Sequence, residues 1–245
     1  MAQLTKLNVG VLFVTTTQLL DLASVDLLAM TEKIYLRGLE LPDPVVQLGL
    51  DSVNIEFISE NVTVPVGVPS GPLINHTAFA APEQTTLLST SGKLNLQLTA
   101  DITSPSVAPG KLDILVIPGP DPSTVPSPAT AEFIRSHAST GTTDILIICT
   151  GSFIAAHSGI LDGKTATGPR PLVESHLRKA FPKVNWTNDS RWVIDDSGRI
   201  WSSGGITNGH DMVAAYLRKK VHPQVAQIVC ATAEVGDRPQ KYDQA

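Results

Sequence analysis

The chain contains 245 residues, 42% of them hydrophobic, and carries a formal net charge of −5 at pH 7. These values fit one globular domain over residues 1–245 with a substantial core, and they argue against intrinsic disorder. The mild acidity, without a block rich in Lys and Arg, argues against nucleic acid as a partner. No apolar run approaches a bilayer span and the first residues lack a secretory signal pattern, so we expect a cytoplasmic protein with no membrane partner.

The sequence contains only two cysteines, Cys149 and Cys230. Two thiols cannot build a disulfide framework or a thiolate zinc site, so we expect a reducing compartment and no metal. Cys230 falls within an amphipathic helical pattern and is expected to pack in the core.

The amino-terminal part of the chain opens as a β–α unit. Residues 7–14 form an apolar run typical of a strand, and a helical pattern follows over residues 19–32. The segment 37–49 contains Pro42 and Pro44 among short apolar pairs, which fits a loop or a broken helix, and it stays unassigned.

Short strands are predicted in the region that follows. Residues 52–59 alternate in the way that suits an edge strand, while residues 62–68 and 94–99 are candidates for a β-ribbon. His76 is expected in a loop between them.

The carboxyl-terminal part gives clearer patterns. Residues 112–117 form a continuous apolar strand that ends in a stiff, proline-rich loop, and a second apolar run covers residues 145–148. Helices are predicted over residues 128–138, 171–181 and 223–233. Two further helices are predicted, one from the end of the second apolar run to residue 158 and one from Thr207 or Asn208 to residue 221. A β-hairpin is predicted over residues 191–202.

Apolar strands thus alternate with helices along most of the chain. This alternation predicts an α/β fold with an open, mostly parallel sheet, helices on both faces as in a flavodoxin-like sandwich, and a small β-hairpin. Ligands bind such sheets beyond the carboxyl ends of the strands, where the sequence delivers Asp21, Gly119 and Cys149. We expect these residues to converge if their strands are neighbours. Read as ordinary structure, Asp21 would complement a helix dipole and Gly119 would serve a turn.

Residues 144–159 are the most informative stretch, because a wholly apolar run stops at Cys149 and a helical pattern begins at once. A strand-to-helix elbow would place Cys149 at the positive end of a helix, which favours the thiolate, the form that attacks electrophiles. Gly151 permits close approach of the helix to the strand. The alternative is that Cys149 is a small buried hydrophobe, as most free cysteines are.

The sequence Cys149-Thr-Gly-Ser-Phe-Ile-Ala-Ala, together with Gly-Ile-Leu-Asp-Gly-Lys-Thr-Ala-Thr over residues 159–167, resembles the elbow of the ThiJ/PfpI superfamily, a group similar to class I glutamine amidotransferases. The resemblance extends through residues 9–13, 113–119 and 203–211 and leans towards the isonitrile hydratase branch.

In that branch an aspartate of the first helix contacts the reactive cysteine, and Leu20-Asp21-Leu22-Ala23 matches this position. The resemblance implies that Cys149 attacks an electrophilic carbon, that Asp21 transfers a proton, and that water hydrolyses the adduct. It further implies a small-molecule substrate such as an isonitrile, no metal or organic cofactor, and a homodimer. Because Asp21 and Cys149 follow strands expected to be adjacent, we predict that Asp21 lies within hydrogen-bonding reach of the sulfur.

Two departures from the family pattern concern groups beside the cysteine. Gly168 stands where many relatives have a histidine, which weakens a glyoxalase or Cys-His hydrolase more than a Cys-Asp hydratase. Pro120 stands where relatives usually have a second glycine, and proline has no N–H to offer an oxyanion. Either another amide, such as that of Thr150 or Asp121, stabilises charge at the site, or the reaction develops no oxyanion.

Gly119, Thr150, Gly151 and Arg170 are therefore the candidates for binding the substrate or its developing charge. Arg170 would hold an anionic group, although a solvated loop arginine explains the same residue. Two other functions remain open. One is a non-catalytic redox sensor or interaction protein, in which Asp21 hydrogen-bonds a Cys149 sulfinate. The other is a biosynthetic enzyme on the same scaffold, with the proline-rich loop and Arg170 shaping a larger pocket.

Overall fold

The computed structural model describes residues 4–62 and 86–243 of the chain. The strands in these residues are β1 (Lys6–Leu12), β2 (Ser52–Ser59), β3 (Leu87–Ser89), β4 (Asn95–Gln97), β5 (Ala100–Asp101), β6 (Ile114–Ile117), β7 (Asp144–Ile147), β8 (Thr165–Ala166), β9 (Asn185–Trp186), β10 (Trp192–Ile194) and β11 (Ile200–Ser203). Seven of them form one sheet in the order β10-β11-β7-β6-β1-β2-β5. Only the β10–β11 hairpin is antiparallel within this sheet, which confirms the predicted α/β fold.

Helices separate β1 from β2, β6 from β7 and β7 from β8 along the chain. The helices in the described residues are α1 (Ala23–Ala29), α2 (Lys33–Gly38), α3 (Asp43–Val46), α4 (Pro128–Ser139), α5 (Gly151–Ser158), α6 (Arg170–Leu172), α7 (Arg178–Ala180), α8 (Thr207–Lys220) and α9 (Pro223–Ala233). A 3-10 turn, Leu19–Leu22, precedes α1, and a π-helical turn, Val173–Leu177, joins α6 to α7. No helix within the described ranges is both long and apolar enough to cross a membrane.

Both faces of the central strands are buried, as their unbroken apolar sequences require. In β6, Ile114 and Val116 belong to one hydrophobic core, whereas Leu115 and Ile117 belong to the other. The first core contains side chains from α1, α8 and α9, and the second contains side chains from α4 and α5. The sheet is therefore a layer between two sets of helices, with β6 near its centre.

The structure settles several local predictions. The unassigned segment 37–49 contains the end of α2 and all of α3, whose start has Pro42 at the N-cap and Pro44 in the first turn, positions that proline suits. Residues 52–59 do form a strand, but β5 covers its outer side, so β2 is not the edge. Residues 63–68 of the strand predicted over residues 62–68, and the loop at His76, lie outside the described residues.

Candidate active site

Cys149 lies in a sharp turn between β7, which ends at Ile147, and α5, which begins at Gly151. Its backbone φ is +56°, a left-handed conformation that residues with side chains rarely adopt. Strained backbone of this kind clusters at functional sites, because the surrounding structure must hold it in place. The predicted strand-to-helix elbow is present.

Gly151 permits this elbow by having no side chain. A Cβ atom there would collide with the carbonyl oxygen of Ile117 and lie 3.1 Å from that of Pro118, both at the end of β6. Because these are backbone atoms, they cannot move aside cheaply. Glycine at this position therefore lets α5 begin directly against the neighbouring strand, as the sequence predicts.

Asp21 lies in the 3-10 turn before α1 and is fully buried. Its Oδ2 accepts a hydrogen bond of 2.8 Å from the backbone N–H of Gly119. Its Oδ1 is buried and has no hydrogen-bond partner among the described residues. Burial raises the pKa of this carboxyl group from 3.8 to about 6, although the Gly119 hydrogen bond acts in the opposite direction.

Asp21 and Cys149 do not follow adjacent strands, which corrects one of our predictions. They follow β1 and β7, and β6 lies between them. Gly119, after the end of β6, lies beside both segments: a Cβ atom on it would collide with Oγ1 of Thr150, the residue after Cys149, and would lie 2.7 Å from Asp21 Oδ2. The expected convergence of three strand ends is thus present, because the middle strand ends in a residue without a side chain.

The thiol of Cys149 has its pKa raised, chiefly by burial and then by the negative charge of Asp21. The backbone N–H groups of Ile206 and Thr150 and the Thr150 hydroxyl act on this pKa in the opposite direction and do not prevail. The thiolate expected from the helix position is therefore not the favoured form, since burial and a like charge outweigh the short α5 helix. Within the described residues no direct hydrogen bond joins Asp21 to the sulfur; the carboxyl group acts on it through its charge.

The other predicted binding residues have partners of their own. The Gly119 N–H is occupied by Asp21, and the Thr150 hydroxyl donates to the Pro120 carbonyl oxygen at 2.6 Å. Pro120 thus contributes an acceptor to the site. Arg170 is exposed and its guanidinium lies over the ring of Tyr242, 4.8 Å from the centroid. No hydrogen bond or ion pair links Arg170 to Cys149 or Asp21 in the described structure.

The position of the missing histidine is closely packed. A Cβ atom on Gly168 would lie 2.7 Å from Leu177 Cδ1 and 2.8 Å from Ser152 Oγ. A side chain at this position would therefore require the side chains of Leu177 and Ser152 to move aside. The site therefore has no base from this part of the chain.

Two residues beside the site escaped the sequence reasoning. Ile206 has φ of +40°, a genuine outlier for a β-branched residue, and precedes α8 without a side-chain cap, so the cap predicted at Thr207 or Asn208 is wrong. His210 Nε2 donates to the Leu20 carbonyl oxygen at 3.0 Å and so links α8 to the turn that carries Asp21. In the sequence, the glycine pair Gly204-Gly205 before Ile206 could have indicated this turn, because such a pair marks a tight turn before a helix.

A cysteine at a strand-to-helix elbow of a parallel sheet, with a buried carboxyl group beside it, defines an α/β protein with a Cys–Asp site. A family model of the DJ-1/PfpI family matches residues 74–219. The chain belongs to this family, and the predicted membership of the superfamily is confirmed.

Solved structures show the same fold. DJ-1beta from Drosophila melanogaster is similar with a TM-score of 0.63 and 14% identity, over 94% of this chain and 98% of that one. An AraC family transcriptional regulator from Pseudomonas putida is similar with a TM-score of 0.62 and 15% identity, over 93% and 99% of the two chains. A ThiJ/PfpI family protein from Pseudomonas syringae gives 0.60 and 15%, over 96% and 78%. No curated protein sequence matches the chain. At these identities the structural similarities establish the fold alone.

We predict that limiting iodoacetamide labels Cys149 before Cys230. Both thiols have a raised pKa, but Cys149 is partly exposed, whereas Cys230 has only 3% of its surface exposed. Peptide mapping after brief alkylation of the folded protein measures the order, and alkylation in denaturant provides the control with both thiols accessible. Preferential labelling of Cys230 in the folded protein would contradict the assignment of Cys149 as the reactive thiol.

Proposed function

We propose that the protein is a cofactor-independent hydratase acting on a small electrophile of the isonitrile class, with Cys149 as nucleophile and Asp21 as the group that transfers protons. The observation that carries this proposal is the buried Asp21 carboxyl group beside Cys149, with one oxygen unpartnered and a pKa of about 6. A general acid or base works best when its pKa lies near the operating pH.

The resting charges suit the first step. Near pH 7, Asp21 is mostly ionised, because its pKa of about 6 still lies below the pH. Cys149 is mostly a thiol, because burial and the Asp21 charge raise its pKa. Asp21 takes the thiol proton and delivers it to the terminal carbon of the isonitrile. The sulfur forms a bond to the same carbon, and the former triple bond becomes a C=N double bond. The product is a thioimidate on Cys149, which contains every atom of the substrate.

Water completes the reaction. It adds to the thioimidate carbon while its proton passes through Asp21 to the nitrogen, which gives a tetrahedral adduct bearing a hydroxyl group. The C–S bond then breaks, the carbonyl forms, and the proton released from the hydroxyl returns to the sulfur. The net reaction is R–NC plus water to R–NH–CHO. No oxidant, metal or organic cofactor enters the balance.

The surroundings of the site favour this chemistry over the reactions of other Cys enzymes. A Cys-His hydrolase or glyoxalase uses an imidazole, and Gly168 supplies none. The Gly119 N–H already binds Asp21, and Pro120 has no N–H, so the strand end offers no free amide to an oxyanion. During attack on an isonitrile, charge develops on carbon and nitrogen and not on oxygen. Hydration of an isonitrile therefore does not depend on the imidazole or the strand-end amide that this site lacks.

A non-catalytic redox sensor is the second candidate function. The N–H groups of Ile206 and Thr150 beside the sulfur would also bind a sulfinate, but oxidation proceeds through the thiolate, which the raised pKa of Cys149 disfavours. Intact mass after dilute peroxide separates the two functions: selective gain of oxygens at Cys149 with no turnover supports the sensor. A biosynthetic enzyme on the same scaffold would use the same cysteine on a larger substrate.

The proposed function predicts that the protein converts a simple alkyl isonitrile to its N-formamide and turns over neither methylglyoxal nor peptides. Mass spectrometry of the products measures this conversion. Cys230→Ala is the matched control and retains it, because Cys230 is a buried residue of α9 and is not among the groups that act on Cys149. Formamide production that survives in Cys149→Ala, or methylglyoxal turnover faster than hydration, would refute the proposal.

A further inference from the structure

The C-terminal strap, which we define as residues 236–243, is bound along the edge of the sheet beside β10. Arg191 N–H donates to the Gln240 carbonyl oxygen at 2.6 Å, and the Gln240 side chain donates to the Trp192 carbonyl oxygen at 2.9 Å. The Tyr242 N–H donates to the Asp189 carbonyl oxygen at 2.9 Å. These bonds fix the backbone of the strap on both sides of Lys241, so the position of the Tyr242 side chain is determined by the fold.

The ring of Tyr242 lies against two guanidinium groups. Arg170 Cζ is 4.8 Å from the ring centroid and Arg191 Cζ is 4.6 Å from it. Such cation–π contacts orient a ring that is only partly buried. The hydroxyl group then accepts a hydrogen bond of 2.7 Å from Asn208 Nδ2, in the first turn of α8.

Asn208 connects Tyr242 to the turn that precedes α8. A Cβ atom on Gly204 would lie 2.6 Å from Asn208 Nδ2 and 3.2 Å from the Tyr242 hydroxyl oxygen, so both side chains pack directly on the turn. The Asn208 N–H also donates to the Gly205 carbonyl oxygen at 3.0 Å. Between these contacts lies Ile206, whose strained backbone requires neighbours that hold it.

A second contact binds the strap to α8 one turn further along. Asp211 is buried, and its Oδ2 forms an ion pair of 2.5 Å with Arg238. Its Oδ1 accepts a hydrogen bond of 3.3 Å from the Gly236 N–H. The strap therefore holds the start of α8 at two points, Asn208 and Asp211.

We propose that Tyr242 is a positioning residue for the candidate active site: through Asn208 it holds the strained turn at Ile206, so that the Ile206 N–H faces the Cys149 sulfur. The proposal rests on the proposed role of Cys149 as the reacting group. Tyr242 itself touches neither the cysteine nor a substrate. Its effect on the turn at Ile206 is transmitted by the hydrogen bond that its hydroxyl oxygen accepts from Asn208.

Tyr242→Phe tests this role, because it removes the hydroxyl oxygen and keeps the ring against the two arginines. The readout is the rate of Cys149 alkylation by iodoacetamide as a function of pH, in a Cys230→Ala background with Asp21 unchanged. When the turn is held less firmly, the hydrogen bond from the Ile206 N–H to the Cys149 thiolate weakens, so the pKa of the thiol rises. We expect alkylation near pH 7 to slow by roughly threefold, equivalent to a rise of about half a unit in pKa.

Tyr216→Phe is the matched control on the same helix. Its hydroxyl donates to Asp144 Oδ2 at 2.9 Å, at the amino end of β7 and thus opposite the elbow. This variant should lower the melting temperature and leave the pH profile of Cys149 unchanged. Asn208→Ala should reproduce the shift of Tyr242→Phe, and the double variant should add nothing to it, since both remove the same hydrogen bond.

An unchanged pH profile in Tyr242→Phe, an equal shift in Tyr216→Phe, or additive shifts in the double variant would overturn the positioning role. Because alkylation reports on the thiol without any substrate, these outcomes are independent of isonitrile turnover. A protein with the expected shift but no hydratase activity would refute the proposed function and retain the role of Tyr242.

Discussion

Replacing Asp21 by Asn should lower isonitrile turnover by at least roughly 10²-fold, the usual cost of removing a general acid or base. The amide keeps the shape of the carboxyl group and can still accept the Gly119 hydrogen bond, but it has no titratable proton. In the unaltered protein, turnover should fall as the pH drops through about 6, because protonated Asp21 cannot take the thiol proton. The variant should lose this limb of the pH–rate profile.

The same substitution should make the folded protein more stable at neutral pH. Burial raises the pKa of Asp21 from 3.8 to about 6, so the folded state binds this proton more tightly than the unfolded chain does. The stabilisation from the protonated group is complete below pH 3.8 and is lost as the pH rises through about 6. The ionised form thus costs the unaltered protein up to about 3 kcal/mol at pH 7 to 8, a cost that Asn avoids.

Urea denaturation at pH 4 and pH 8 measures this effect. Asp26→Asn is the matched control, because Asp26 is an exposed aspartate in α1, only five positions along the chain. The stability gain of Asp21→Asn over the control should be largest at pH 8 and should shrink towards pH 4. Equal stability at both pH values, with turnover unchanged, would show that Asp21 is an ordinary structural carboxylate.

Gly151→Ala should disrupt the elbow itself. Its Cβ atom would collide with the Ile117 carbonyl oxygen, a backbone atom of the central strand, so the start of α5 must shift. We expect a loss of about 3 kcal/mol in the free energy of unfolding, at the upper end for overpacking, together with a loss of turnover. Chemical denaturation and the formamide assay measure both effects.

Gly38→Ala is the control for this change, because Gly38 ends α2 and, apart from its chain neighbours and its own helix backbone, nothing lies within 4 Å of its added Cβ. It should leave both stability and turnover nearly unchanged. A stable, active Gly151→Ala protein would show that the close contact between α5 and β6 is not needed to hold Cys149.

The sequence predicts the fold well where the pattern is local. The apolar runs before Gly119 and Cys149 identify the central strands, and the helix predicted over residues 223–233 coincides with α9. Pro42 and Pro44 obscure α3, because a single turn of helix leaves little periodicity. Proline at the start of a short helix resembles proline in a loop.

The sequence predicts the site less completely, because its chemistry depends on contacts between distant segments. The elbow, Gly151 and the importance of Asp21 follow from spacing and resemblance. That β6 separates Asp21 from Cys149 is a matter of strand order, which no local pattern encodes. The raised pKa of Cys149 depends on burial and on the Asp21 charge. Likewise, the contact of Ile206 with the sulfur requires a backbone conformation that a β-branched residue does not suggest.

In the proposed mechanism, Cys149 forms a covalent bond to the substrate with a proton supplied through Asp21. Rapid-quench intact mass spectrometry with an alkyl isonitrile detects this bond. We expect a transient species heavier by the full mass of the isonitrile, located on the Cys149 peptide, that decays as formamide appears and forms far more slowly in Asp21→Asn. Formamide release with no adduct on Cys149, or an adduct that forms equally fast in Asp21→Asn, would contradict this mechanism.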